Sequence, residues 1–162
     1  MGIDPGTIKA GYGVVRAEGS SIYPLAYGIA GGGSTKKSEF CKRLKNIFNG
    51  ITSIIAEYNP EYIAVETSFY GKSIETAIKI GQGRGVAILA AALSEAQVIE
   101  ISPAVIKKAV TGRGDAQKSQ VGEMIRLILG LEEIPSPDDA SDGLACAIAA
   151  YHRITAHKKM IC

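Results

Sequence analysis

Hydrophobic positions along the chain follow two kinds of spacing, and each predicts its own kind of element. Short apolar runs at 13–17 and 22–30, separated by glycines, are typical of strands joined by hairpin turns, so residues 3–30 predict an antiparallel three-stranded opening. Between residues 40 and 58 the apolar positions recur every three or four residues. This period predicts a long amphipathic helix that ends near Asn59 and Pro60.

The rest of the chain alternates short and long apolar segments. Residues 62–65 and 97–101 read as short buried strands, and the intervening segment at 74–93, rich in alanine and glycine, reads as a helix. The last part of the chain predicts three further helices, at 103–110, 117–129 and 138–153. Strands that alternate with helices in this way predict an α/β fold in which helices pack on a sheet.

Composition narrows the class of protein. Hydrophobic residues make up 46% of the chain and charged residues 21%, which favours a folded core and excludes a disordered chain. The longest apolar run, at 86–93, is far shorter than the ~18 residues of a membrane span, and the first residues lack the pattern of a secretory signal. We therefore expect a cytoplasmic protein.

The three cysteines, Cys41, Cys146 and Cys162, form no CxxC pair, and no histidine lies close to them in the sequence in a zinc-ligand pattern. This spacing argues against a disulfide scaffold and against a zinc module. Cys41 and Cys146 lie in apolar helix patterns, where a buried thiol is the expected state.

The net charge of +2 says little about partners, but the basic residues are clustered. Segment 34–45 holds five basic residues against Glu39, and segment 101–122 holds four against Asp115. The basic residues are Lys36, Lys37, Lys42, Arg43 and Lys45 in the first segment and Lys107, Lys108, Arg113 and Lys118 in the second. Solvated helix faces explain such clusters as well as phosphate-binding surfaces do.

Four acidic residues lie at positions in the predicted strands and helices that suggest a catalytic or metal-binding role. Asp4 follows a very short first strand, and Glu66 ends the strand at 62–65, so two carboxylates are expected at strand ends. Asp139 and Asp142 are three residues apart on the last predicted helix, which places both on one face about 5–6 Å apart. Asp142 lies beyond the first helical turn in an otherwise apolar segment, where a charge needs a partner.

Three of these acids also have a purely structural explanation. Asp4 can cap the following turn, and Glu66 can pair with a surface lysine. Asp139 can sit in the first turn of a helix, where backbone N–H groups favour a carboxylate. If all four carboxylates meet instead, charges about 4 Å apart repel by about 4 kcal/mol per pair. Such a cluster must hold protons or bind cations, and oxygen-only ligation suits Mg²⁺ or Mn²⁺.

Glycines stand out at two places in the predicted helices. The segment GQGRG at 81–85 is not in a strand-to-helix turn, so it does not indicate a dinucleotide site; it favours close packing, within one chain or across a dimer interface. Gly143 stands where a helix prefers alanine, at a cost of about 1 kcal/mol, which suggests that a backbone approaches it closely.

Four blocks of sequence occur in order along nearly the whole chain. They are GIDPG at 2–6 with GYGVV at 11–15, VE at 65–66 with Phe69 and KIGQGRGVA at 79–87, IKKAVTG at 106–112 with KSQV at 118–121, and DASDGLA at 139–145. Together they resemble the RuvC-type Holliday-junction resolvases of the ribonuclease H-like superfamily. The opening alone also resembles that of actin-like ATPases, whereas the four blocks at matching spacing are highly specific.

The resemblance implies a ribonuclease H-like fold. This fold has a mixed five-stranded sheet, with three antiparallel strands followed by parallel strands, and helices on both faces. The expected organisation is a single nuclease domain at 1–157 with a short C-terminal tail at 158–162.

The resemblance also implies a Mg²⁺-dependent endonuclease, with Mn²⁺ able to substitute, that nicks two strands of four-way DNA junctions symmetrically in recombination and repair. It implies a homodimer that acts with a branch-migration helicase complex. Two ions per active site would be held by Asp4, Glu66, Asp139 and Asp142, and Lys107 and Lys118 would complete the catalytic set near the scissile phosphate. The residues expected to contact DNA are Phe69, Lys107, Lys108, Arg113, Lys118 and Arg84. Without the family resemblance, Phe69 would be assigned to the core, and Lys107 and Lys118 would be assigned to the surfaces of helices.

Two other functions were weighed against this one. A non-catalytic junction-binding module of the same fold would be expected to lack one or more of the four acids, and all four are present. An actin-like phosphotransferase lobe, suggested by Asp4 and the Pro-Gly-Thr that follows it, would need a second lobe and adenosine-binding loops.

Overall fold

The protein was analysed as a computed structural model, which describes residues 1–67 and 73–161, with side chains through residue 156. Its five strands lie close to the predicted positions. They are β1 (Gly2–Asp4), β2 (Lys9–Glu18), β3 (Ser21–Gly31), β4 (Tyr62–Glu66) and β5 (Gln97–Ile101).

The strands form one mixed sheet in the order β3-β2-β1-β4-β5. β1 and β3 both pair antiparallel with β2, whereas β4 pairs parallel with β1 and with β5. The expectation of an antiparallel opening followed by parallel strands is confirmed. Because β1 and β4 are parallel neighbours, their carboxyl ends lie at the same edge of the sheet.

In the described residues, five α-helices pack on this sheet. A short 3-10 turn at Lys37–Glu39 precedes the first of them. The helices are α1 (Phe40–Tyr58), α2 (Ile74–Ala92), α3 (Pro103–Thr111), α4 (Lys118–Leu129) and α5 (Asp138–Ile161). α1 ends where predicted, because Asn59 adopts a left-handed conformation (φ 40°) and donates its backbone N–H to Ile55. No helix in the described part of the chain is long and apolar enough to cross a membrane.

Each face of the sheet carries its own apolar core. The buried isoleucines of α1 and the buried alanines of α2 pack on one face, against residues such as Ile3 and Val65. The other face is covered by α3, α4 and α5, whose buried residues meet Ala64 and Ile101. Ala64 and Val65 are neighbours on β4 and point to opposite faces, as alternate strand residues must. Helices on both faces confirm the expected architecture.

The structure differs from the sequence-based expectations at three places. α5 continues to Ile161 and not only to residue 153, so it includes most of the expected tail, and Ile154 still packs against the core. Cys146 is buried as expected, whereas Cys41 is exposed. Arg43, assigned to a basic surface, is buried instead, because its guanidinium donates hydrogen bonds to backbone carbonyls of three residues.

Candidate active site

Three of the four predicted acids meet in one cleft at the carboxyl edge of the sheet. Asp4 ends β1 and Glu66 ends the neighbouring parallel strand β4. Asp142 reaches the same place from the second turn of α5. The cleft has a volume of about 180 Å³, and its lining residues are Asp4, Glu66, Pro103, Ile106, Lys107, Lys118, Val121, Asp142 and Ala145.

Glycines let α5 lie directly on β1 and β2. A Cβ atom at Gly143 would overlap the backbone of Tyr12, and one at Gly11 would overlap the carbonyl of Asp139. A Cβ atom at Gly13 would come within 2.6 Å of the Cα of Leu144. The first turns of α5, with their acids, can therefore approach Asp4 closely, and the expected close backbone approach at Gly143 is found.

Burial and mutual repulsion disfavour the charged forms of two acids. Burial, followed by the negative charges of Asp142 and Asp139, raises the pKa of Asp4 to about 6. Burial, followed by the charges of Asp4 and Asp142, raises the pKa of Glu66 to about 7. This is the situation expected for converging carboxylates, which must hold protons or accept a cation.

Lysines offset part of this charge. The Lys118 ammonium lies 2.8 Å from the Asp142 carboxylate and 3.3 Å from that of Asp138. Lys107 lines the cleft from α3. Asp139 is outside the cleft lining and is held by a different lysine, with 2.7 Å between the Lys9 ammonium and its carboxylate. Asp139 is thus near enough to act on the pKa of Asp4 but is directed to Lys9.

The donor set was tested for its fit to a divalent cation. Across residues 1–67 and 73–161 there is no ready-made group of three His, Cys, Asp or Glu ligands. In this arrangement the carboxylates of Asp139 and Asp142 contact Lys9 and Lys118. The chemistry of the site nevertheless fits a hard cation, because it offers carboxylate oxygens and carries repulsion that a cation would relieve.

Three other predicted DNA contacts, Lys108, Arg113 and Arg84, are not among the residues that line the cleft. Lys108 is exposed on α3, and Arg113 is exposed and pairs with Asp115 at 3.0 Å. Arg84 is on α2, where its guanidinium pairs with Glu100 of β5. Phe69, the expected stacking residue, lies outside the described residues.

The sequence reasoning missed Lys9 as a member of this region. It stands at the start of β2, only a short turn after Asp4, but its partner is 130 positions further along the chain. No local pattern reveals such a pair. A signal existed only in the glycines at 11 and 13, which suggest that something packs tightly on this face of β2.

Comparisons with known proteins agree with the geometry. The sequence model of one family, described as "Crossover junction endodeoxyribonuclease RuvC", matches residues 1–150. A relative of that name from Heliobacterium modesticaldum is 44% identical over 155 residues, which cover 96% of this chain and 94% of the relative. Another of that name from Rubrobacter xylanophilus is 46% identical over 162 residues, 96% of this chain and 87% of the relative.

A solved structure is similar over the same extent. The structure of "T. thermophilus RuvC in complex with Holliday junction substrate" superposes with a TM-score of 0.84 at 32% sequence identity. The match covers 95% of this chain and 94% of that one.

Proposed function

Because the chain belongs to the RuvC family of crossover junction endodeoxyribonucleases, we propose that it hydrolyses phosphodiester bonds in four-way DNA junctions. It nicks two strands of the junction symmetrically, as a step of recombination and repair. The observation that carries this function is the convergence of Asp4, Glu66 and Asp142 with Lys118 in one cleft. A cleft of this composition suits a phosphate group and the cations that accompany its hydrolysis.

The family consists of metal-dependent nucleases. We assign Mg²⁺ as the metal, with Mn²⁺ as a substitute and two ions in each site. Asp4, Glu66, Asp139 and Asp142 would hold them. Bound ions of this kind supply an activated water and stabilise the leaving oxygen in phosphodiester hydrolysis.

The lysines of the cleft act on the phosphate. Lys107 and Lys118 both line the cleft beside the carboxylates, so either ammonium can offset the negative charge that develops on phosphorus-bound oxygens during attack. Lys118 also keeps Asp142 in place through their 2.8 Å contact. Because Lys118 both lines the cleft and contacts a carboxylate of the site, it is suited to contact the scissile phosphate.

Contacts with the rest of the junction come from residues around the cleft. Lys108 and Arg113 are exposed on the same segment as Lys107, so they can reach neighbouring phosphates. Phe69 is assigned to stacking on a base near the crossover, because an aromatic face accepts any base. Arg84 can join these contacts only by leaving Glu100, its partner in the structure.

A homodimer is part of the proposal, because two symmetric nicks need two active sites related by two-fold symmetry. One face of α2 supports this assembly. It presents exposed apolar side chains at Ile74, Ile78 and Leu89, and Leu93 is exposed directly after the helix. A Cβ at Gly81 or Gly85 would meet no atom within 4 Å. Such a stripe on a single chain marks a surface that another protein covers. A branch-migration helicase complex is the further partner that we expect.

Cleavage of a synthetic four-way junction tests the function. Wild-type protein with Mg²⁺ should produce paired nicks in two strands, and a chelator should abolish them. Asp142→Asn should lower the cleavage rate at least about 100-fold while junction binding persists, since a lost metal ligand removes several kcal/mol of transition-state stabilisation. Glu95→Gln is the control for removal of an acidic charge, because Glu95 is exposed and is not among the residues that line the cleft.

Two results would contradict the proposal in different ways. Full activity of Asp142→Asn would remove that residue from the catalytic set. Tight junction binding by wild-type protein without any nicking would favour the alternative, a non-catalytic junction-binding module.

A further inference from the structure

Lys9 is a charged residue beside the active site to which the proposed mechanism gives no role. It begins β2, opposite Gly31 of β3, directly after the turn that follows Asp4. Its ammonium lies 2.7 Å from the carboxylate of Asp139, and the two side chains are 35% and 32% exposed. The pair is therefore partly shielded from water, so water weakens the attraction between its charges less than in a fully exposed ion pair.

The fold itself brings these two side chains together. Residues 9 and 11 lie on the same face of β2, because strand residues alternate between faces. The carbonyl of Asp139 packs directly against Gly11 on that face. The Lys9 side chain thus emerges beside the first turn of α5, where Asp139 is located, and the contact does not depend on a flexible loop.

Asp139 also differs from the other three acids of the set. Asp4, Glu66 and Asp142 line the cleft, whereas Asp139 does not. Its carboxylate faces Lys9 and still acts electrostatically on Asp4. One unit of positive charge is thereby fixed at the rim of a site that attracts cations through negative charge.

We propose that Lys9 is the resident counter-ion of Asp139 and sets the affinity of the active site for divalent cations. This inference rests on the proposed function, because it takes the four acids as the metal ligands. Lys9 acts through Asp139 and is therefore a positioning residue. It both restrains the Asp139 carboxylate and repels an approaching cation, so its removal should strengthen metal binding.

The size of the effect follows from electrostatics. A unit charge within several ångströms of a divalent ion, in a partly hydrated site, changes the affinity for that ion by roughly five- to thirty-fold. Lys9→Met removes the charge and keeps an unbranched side chain of similar length. Lys9→Arg keeps the charge and should leave the affinity within about two-fold of wild type.

Isothermal titration of chelator-treated protein with Mn²⁺, without DNA, measures this directly. Lys9→Met should bind Mn²⁺ roughly five- to thirty-fold more tightly than wild type, and Lys9→Arg should restore the wild-type value. Lys79→Met is the matched control, because Lys79 forms an exposed ion pair of 2.6 Å with Glu75 on α2. It removes the same net charge and one lysine ion pair.

The outcomes separate this inference from the proposed function. Unchanged or weaker Mn²⁺ binding by Lys9→Met overturns the role of Lys9. An equal gain in Lys79→Met also overturns it, because the effect would then reflect net charge alone. Wild-type protein that binds no Mn²⁺ contradicts the metal site of the proposed function itself.

Discussion

At the scale of single residues, the environment of a carboxylate decides its protonation. Hydrogen bonding by Lys79 holds the pKa of Glu75 below its usual range, and hydrogen bonding by Arg126 does the same to the pKa of Glu123. Glu66 has the same side chain but an opposite shift, because it is buried beside other acids. The site thus keeps negative charge at an energetic cost that bound cations would relieve.

This cost predicts how stability depends on pH. In the folded chain Glu66 holds its proton up to about pH 7, whereas an ordinary glutamate releases it near 4.5. The folded state then binds more protons than the unfolded state over this interval, so this group lowers the free energy of unfolding as the pH rises from 4.5 through 7. Glu66→Gln removes the penalty and should stabilise chelator-treated protein by about 1–2 kcal/mol at pH 8, after allowance for partial exposure.

Urea unfolding at about pH 4 and at pH 8 checks this prediction. At about pH 4, below the ordinary glutamate pKa of 4.5, Glu66 is mostly protonated in both the folded and the unfolded chain, so wild type and Glu66→Gln should have nearly equal stability. Glu95→Gln, at an exposed position, provides the control for removal of a carboxylate. A difference between wild type and Glu66→Gln that is the same at both pH values would contradict the prediction.

At the scale of elements, the contact between α5 and β2 positions the site. Asp142 enters the cleft, and Asp139 lies near it, because α5 packs on a strand that has glycine at 11 and 13. On the helix side of this contact, Gly143 packs against the backbone of Tyr12. Backbone contact of this kind leaves no room for a side chain on either partner.

Gly143→Ala tests this contact through the sign of its effect. In a helix with free space at this position, alanine would stabilise by about 1 kcal/mol. Here its Cβ overlaps the Tyr12 backbone, so we expect a net destabilisation of about 1–3 kcal/mol. Thermal unfolding measures it, and a stabilised variant would contradict the packing.

Much of the fold was predictable because it depends on local spacing. The apolar period of α1 and the glycine punctuation around β2 and β3 are properties of neighbouring residues, so they are visible in the sequence. The end of α5 was not, because residues after 153 lose the regular apolar pattern, although the helix continues and Ile154 still packs against the core. The buried position of Arg43 likewise depends on carbonyls that only the folded loop brings together.

The candidate site was predictable to a similar degree. Asp4 and Glu66 stand out because each follows a buried strand, and Asp142 stands out as a charge in an apolar helix. The proximity of these acids to one another required the structure, as did the pairing of Asp139 with Lys9. Long-range ion pairs depend on how the helices and strands are arranged in space, and the spacing of residues along the sequence does not predict that arrangement.

At the scale of the whole molecule, the two faces of the sheet differ in exposure. α5 is buried on the face that supplies most of the cleft, whereas α2 on the other face exposes Ile78 (58%) and Leu89 (53%). The proposed dimer would cover this part of α2. The two active sites would then be held at a fixed separation, as paired cleavage of one junction requires.

Ile78→Glu tests the dimer. A charge within the α2 stripe should shift the protein from dimer to monomer in sedimentation velocity and weaken coordination of the second nick. Leu127→Glu is the matched control, because Leu127 is also 58% exposed but lies on α4. A monomeric wild type, or equal effects of the two variants, would contradict the assignment of this face.

We expect acids from β1, β4 and α5 to bind divalent cations at a common site, and anomalous X-ray diffraction from crystals soaked in Mn²⁺ tests this most directly. We predict an anomalous density peak within coordination distance of the carboxylates of Asp4, Glu66 and Asp142. Well-ordered carboxylates without such a peak, with Mn²⁺ bound only elsewhere on the protein, would contradict the account.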